Sequence, residues 1–231
     1  MRTLGLVPAR GGSTRAPRKN LARLGGATLV RRALETALAS GCFAVVALSS
    51  EDEEILAEAD GLDVVALRRP GELAGDDVLV KEAVLHALRA LDDPAEPFDA
   101  VAIVQCTSPF TAAADVAGTV ALLERTGAES AVSVVRLDAA QHPLKLKRLE
   151  GDRLLPYLED DRLTPSQKLP PLWVRNGSVY AFRRDVVERG LEAEDVRGYE
   201  MPPDRSFDID TPRDLAFAEF LLERGGYSGR L

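Results

Sequence analysis

The chain has 231 residues, 45% of them hydrophobic, which is enough to bury one sizeable core without disulfide or metal staples. Its 29 basic and 37 acidic side chains give a formal net charge of −8, which argues against a broad basic face for nucleic acid or anionic lipid. Any anionic ligand must then be held by a local cluster of cations. Cys42 and Cys106 fit neither a zinc spacing nor a disulfide framework and read as reduced thiols. No stretch approaches the roughly 20 apolar residues of a membrane span, and the apolar run near the N-terminus is too short for a signal peptide. A cytoplasmic, soluble protein with no nucleic-acid or membrane partner is expected.

In chain order, Thr3–Val7, Val45–Leu48, Val64–Leu67, Val101–Val104 and Ala131–Val135 are short, Val-rich runs bounded by turn residues, and they predict buried strands. Between the first two, Val30, Ala33, Leu34, Ala37 and Leu38 recur at helical spacing and stop at Gly41. The acids of Ser49–Asp60 crowd a helix start and read as a solvated helix face. Val80, Val84, Leu88 and Leu91 form a second apolar stripe, and Leu215, Ala218 and Leu222 a third. The alternation predicts an α/β fold, with a mostly parallel sheet and helices on both faces. From about Leu137 to Pro171 the pattern breaks, with prolines at 143, 156, 165, 170 and 171, and an excursion from the sheet is expected before the chain returns at Val174–Phe182.

Four segments carry chemistry. PARGGSTRAPRKN (Pro8–Asn20) leaves the first strand, where an open α/β sheet binds ligands. Gly11 and Gly12 let the backbone approach a ligand, and Arg10, Arg15, Arg18 and Lys19 concentrate four cations in an acidic protein, as a triphosphate requires. The segment is neither G-x-x-x-x-G-K-[ST] nor G-x-G-x-x-G, so a P-loop ATPase and a dinucleotide oxidoreductase are unsupported; a solvated basic loop fits the spacing too. In SFDIDTPRDL (Ser206–Leu215), Asp208 and Asp210 are two apart, so on an extended segment both carboxylates point to one side and can share a hard divalent cation. Thr211 and Asp214 form a capping-box pattern, and two acids decorating a helix start are the plainer reading. VQCTSPFT (Val104–Thr111) offers Gln105, Thr107 and Ser108 to a base or sugar hydroxyl, or to capping of the following helix. NGSVY (Asn176–Tyr180) reads as a turn before a strand, with Asn176 able to face a site. No Ser-His or Cys-His pair stands out: His86 falls on a helix surface, and His142, in QHPLK (Gln141–Lys145), could line a pocket. Trp173 reads as a core or subunit-interface residue.

Taken in order, together with RPGELAGDD (Arg69–Asp77) and QHPLK, these segments resemble the acylneuraminate cytidylyltransferase family, over essentially the whole chain. The resemblance implies a single cytidylyltransferase domain spanning 1–231, a three-layer α/β/α Rossmann-like nucleotidyltransferase fold and a small dimerisation excursion at about 137–171. It implies a homodimer and attack of a nonulosonic acid's anomeric hydroxyl on the α-phosphorus of CTP, releasing pyrophosphate. Arg10 and Lys19 would hold the triphosphate, with Ser13, Arg15 and Asn20 supporting the loop and nucleotide and Arg69 beside the cytosine. Gln105, Lys145 and Tyr180 would contact the sugar acid, Lys145 at its carboxylate. Asp208 and Asp210 would bind Mg²⁺, with Asp210 nearest the nucleophile; Asp210, Lys19 and Arg10 are the expected catalytic residues.

The chain departs from the family pattern at Thr14, Val80, Cys106, Thr111 and Ser166. Thr111 and Ser166 stand where the family carries arginines, which leaves open a different acceptor, such as another keto-acid sugar or a phosphonate. Thr14 and Val80 leave open a nucleotide-binding relative without turnover.

Overall fold

The computed structural model describes residues 1–12, 18–73, 75, 80–158 and 165–224. Seven strands make the main sheet: β1 (Thr3–Pro8), β2 (Val45–Ser50), β3 (Val65–Arg68), β4 (Ala100–Val104), β5 (Ser130–Arg136), β6 (Trp173–Arg183) and β7 (Val196–Met201). Their spatial order is β7-β5-β6-β4-β1-β2-β3. All neighbours are parallel except β6, which runs antiparallel to both β4 and β5. The helices are α1 (Leu29–Ala39), α2 (Glu53–Ala57), α3 (Val80–Leu91), α4 (Ala113–Thr126), α5 (Arg184–Glu188) and α6 (Pro212–Glu223). Among the described residues no helix is long and apolar enough to cross a membrane.

Strand alternation divides the core between the two sheet faces. Val7, Val46, Leu48 and Val104 pack with α1, α2 and the buried Ala218 of α6. Leu4, Leu6, Ala47, Val101 and Ile103 pack on the opposite face with Val84, Ala87 and Leu88 of α3 and Val186 and Val187 of α5. Side chains cap the starts of α1 and α2: Thr28 Oγ1 accepts from Arg31 N, and Asp52 Oδ1 from Glu54 N and Ile55 N. Such caps each contribute about 1 kcal/mol.

Three expectations need correction. The strand predicted at Val64–Leu67 begins one residue later and is not buried; as β3 it pairs with β2 alone, and Val65 is 41% exposed. The acidic Ser49–Asp60 segment is not simply a solvated face, because Ile55 and Leu56 of its short helix drive into the core. His86 is half-buried on α3 rather than on its surface, with Nδ1 shielded from solvent.

Between β5 and β6 the chain forms 3₁₀ turns at Ala139–Gln141 and Pro143–Lys145, a hairpin of Lys147–Glu150 with Arg153–Pro156, and a 3₁₀ turn at Ser166–Lys168. Its base is closed by Leu137 N donating to Leu172 O at 2.8 Å. Leu149 and Leu154 oppose one another across the hairpin and are each 69% exposed. Trp173 is about half exposed rather than packed in the core of this chain.

Candidate active site

The parallel strands β1, β2, β3 and β4 all end at one edge of the sheet, and antiparallel β6 brings its first half to the same edge. The segments after β1, β3 and β4, the start of β6 and the Ser206–Thr211 segment therefore converge there. In the loop after β1, Gly11 lies against Asp52, and any Cβ at Gly11 would collide with that carboxylate. Gly11 N donates to Glu51 Oε1 at 2.8 Å, and Glu51 Oε2 accepts from Arg69 Nη2 at 2.9 Å. Arg69 Nη2 also reaches Ala9 O. Arg69 is thus buried and braces the loop after β1 through Glu51 and Ala9. Asn20 closes the loop from the other end, its Nδ2 donating to Arg10 O at 3.0 Å. Arg10 Nη1 donates to Gly75 O, and Arg18 turns outward to Glu54 at 2.7 Å. Ser13, Thr14 and Arg15 lie outside the described residues.

The two aspartates adopt the alternation their spacing predicts. Ile209 is buried in the core, while Asp208 and Asp210 on either side of it keep solvent contact. Partial desolvation pushes the Asp208 carboxyl above the usual aspartate value, opposed by a Thr107 hydrogen bond and reinforced by the charge of Asp210. The Lys19 ammonium donates to Asp210 Oδ1 at 3.1 Å, and the lysine side chain is only 13% exposed. The capping box is present: Asp214 Oδ2 accepts from Thr211 N, and Thr211 Oγ1 from Asp214 N.

No cluster of three or more metal-ligating side chains occurs among the described residues. Two carboxylates still fit Mg²⁺, which characteristically takes one or two protein carboxylates and completes its octahedron with phosphate oxygens and water.

Asn176 does not face the cleft. It is buried, with Nδ2 donating to Ser206 Oγ at 2.9 Å and to Met201 Sδ, and Oδ1 accepting from Ser133 Oγ at 2.6 Å. Its amide ties β5 and β7 to the segment carrying the aspartates. Next to it, Gly177 has φ 79, and Ser108 Oγ and the Asp208 carboxylate both lie over it. A second tie comes from Arg205, whose Nε and Nη2 each donate at 2.8 Å to the carboxylate of Asp115, a fully buried residue at the start of α4. Glu51, Asp115 and Arg205 are not legible as site residues from local spacing, since each acts through a partner distant in sequence.

Gln105 is half-buried at the end of β4, with its N–H on Ser178 O. Tyr180 packs on the α3 side of the core, and burial pushes its phenol above the usual value. Lys145 Nζ donates to Ser166 Oγ at 2.6 Å within the excursion. Thr111 is turned inward, donating to Ser108 O and contacting Ser178 Oγ, so it contributes no charge to the cleft. Cys106 is fully buried, which pushes its thiol up to about 12 and makes it inert. His142 is buried with Nδ1 accepting from Leu144 N.

Fold and site together define a Rossmann-like α/β protein with a polar, charged cleft at the carboxyl ends of its parallel strands. The chain belongs to the cytidylyltransferase family, whose model matches residues 4–227. Among curated relatives, it is 30% identical over 234 residues to N-acylneuraminate cytidylyltransferase A of Danio rerio, covering 97% of this chain and 52% of that protein. It is 31% identical over 228 residues to CMP-N,N'-diacetyllegionaminic acid synthase of Legionella pneumophila, covering 96% of this chain and 97% of that protein. The chain therefore spans about half of the fish relative but nearly all of the bacterial one. Among solved structures, CMP:2-keto-3-deoxy-manno-octonic acid synthetase complexed with CTP superposes with a TM-score of 0.73 at 18% identity, over 97% of this chain and all of that one. The 4-diphosphocytidyl-2C-methyl-D-erythritol synthase of Anaerococcus prevotii follows at 0.65 and 14%, covering 96% and 99%. These two likenesses bear on the fold alone.

Proposed function

We propose that this protein is a CMP-sugar synthetase that couples CTP to a sialic-acid-like nonulosonic acid, releasing pyrophosphate. The observation that carries the reading is the ion pair that brings Lys19, from the loop after β1, onto Asp210, two residues from Asp208, in a chain matched nearly end to end by a relative named for CMP-legionaminic acid synthesis. Arg10 and Lys19 bind the triphosphate, on a loop braced by the Gly11–Glu51–Arg69 contacts. Asp208 and Asp210 hold Mg²⁺, which when bound supplies charge neutralisation at the phosphates. Asp210 lies nearest the nucleophile, positioned to orient the anomeric hydroxyl. Gln105 and Lys145 contact the sugar acid, with Lys145 at its carboxylate and pre-set by its hydrogen bond to Ser166. The reaction needs no covalent enzyme intermediate, in keeping with the inert Cys106.

The apolar hairpin pair Leu149 and Leu154, with Tyr157 and Trp173, supports a homodimer in which the excursion meets the partner subunit. Two free thiols and a nucleotide substrate fit a cytoplasmic setting. The test is pyrophosphate release from CTP and Mg²⁺ with a panel of acids: sialic, legionaminic and pseudaminic acids, an eight-carbon keto-deoxy acid and a phosphonate. Release with a nine-carbon acid supports the reading. Release only with another acceptor assigns a different cytidylyltransferase, and none at all refutes an enzymatic role.

A further inference from the structure

The segment bearing Asp208 and Asp210 has no regular secondary structure, so its place is set by the groups that tether it. Ile209 N donates to Thr107 O at 2.8 Å, Ser206 Oγ is held by Asn176, and Asp210 N donates to Asp214. Arg205, three residues before Asp208, is the tether to α4. Its guanidinium forms two parallel bonds of 2.8 Å to Asp115, a geometry that fixes direction as well as distance. Asp115 is fully buried and also accepts from Ala112 N at 2.9 Å, which sets where α4 begins. That helix starts directly after the Gln105–Thr111 turn, whose Thr107 carbonyl accepts from Ile209 N between the two aspartates. The Tyr199 ring packs onto Gly118 one turn further along α4, so the helix is held close to β7 and has little room to shift. One ion pair thereby fastens the segment carrying Asp208 and Asp210 to the helix that follows that turn.

We propose that Arg205, locked by Asp115, is a positioning residue for the divalent cation: it sets the Asp208–Asp210 segment against the Thr107 turn and so tunes metal affinity from outside the coordination sphere. This rests on reading Asp208 and Asp210 as the metal carboxylates. Partners of this kind that orient metal ligands typically govern affinity by about 10–100-fold. Lysine at 205 keeps the charge but loses the fork, which makes it the informative substitution.

The experiment is Mn²⁺ binding to the enzyme in the presence of CTP, followed by the electron paramagnetic resonance of free Mn²⁺, with metal-free CTP binding and Tm measured in parallel. For Arg205→Lys, Mn²⁺ affinity is expected to fall about tenfold while metal-free CTP affinity stays within about twofold. Should Arg205→Lys not fold, Asp115→Asn retains a carbonyl for Arg205 and carries the same expectation. Unchanged Mn²⁺ affinity with only a lower Tm overturns the proposal, as does a parallel loss of metal and metal-free CTP binding. Asp208→Asn is the control for the underlying reading: if it binds Mn²⁺ like the parent protein, the metal assignment itself has failed.

Discussion

Lys19 and Asp210, 191 residues apart in sequence, meet in an ion pair of 3.1 Å. The ammonium proposed to bind phosphate thus rests on a carboxylate proposed to bind metal. On the proposed function, each charge stands in for the other's ligand, and a metal–triphosphate complex would satisfy both at once.

Lys19→Met removes the cation that competes for Asp210. Mn²⁺ is expected to bind this variant more tightly than the parent when no nucleotide is present, while turnover falls by about 100-fold, the scale of losing one preorganised donor. Mn²⁺ titration without CTP and a pyrophosphate-release assay check the two halves.

Asp208 carries a stability cost. Its carboxyl is raised in the folded protein, so the native state holds the proton more tightly than the unfolded chain, and stability declines as pH rises through the interval between the ordinary and the raised value. Asp208→Asn is expected to abolish turnover and raise the metal-free Tm at pH 7 by on the order of 1 °C, a gain that shrinks as pH falls through that interval. Thermal melts from pH 3 to 7, with turnover assays, measure both.

Asn176 uses both ends of its amide. Asn176→Ala removes the bonds to Ser133 and Ser206, whose hydroxyls keep Val179 and Pro202 as partners, so each lost bond costs about 0.5–1.5 kcal/mol and a drop in Tm of roughly 2–10 °C is expected. Because the same amide fixes the segment before Asp208, the Mg²⁺ concentration for half-maximal rate should also rise.

Glu129, at the start of β5, is held at about 2 by the Arg189 guanidinium and by the N–H groups of Glu194 and Asp195. Its depressed carboxyl adds stability above the ordinary glutamate range, and that contribution is lost as pH falls toward about 2. Glu129→Gln should therefore melt below the parent at pH 7, with the gap closing in acid. Melts across pH 2–7 decide it.

The parts of the fold that depend on local periodicity were readable in advance. The stripe from Val30 to Leu38 became α1 because its apolar face packs on the sheet, and Gly41 takes the left-handed conformation just beyond it. By contrast, Val196–Met201 carries Arg197, Gly198 and Glu200, so no apolar run announces β7; pairing with β5 makes it a strand. The Asp208-Ile209-Asp210 alternation was legible because a two-residue period needs only an extended backbone. The Arg205–Asp115 pair was not, since 90 residues separate its members and only the packing of α4 brings them together. Asn176 misled for a related reason: a polar residue in a turn motif looks solvent-facing until its buried partners are known.

The central claim is that the α-phosphorus of CTP is transferred to a sugar acid. ³¹P nuclear magnetic resonance of a reaction containing CTP, Mg²⁺ and a nonulosonic acid tests it most directly. The predicted result is growth of one phosphodiester resonance in step with pyrophosphate. CDP and inorganic phosphate, or an unchanged CTP spectrum with every nine-carbon acid, would contradict it.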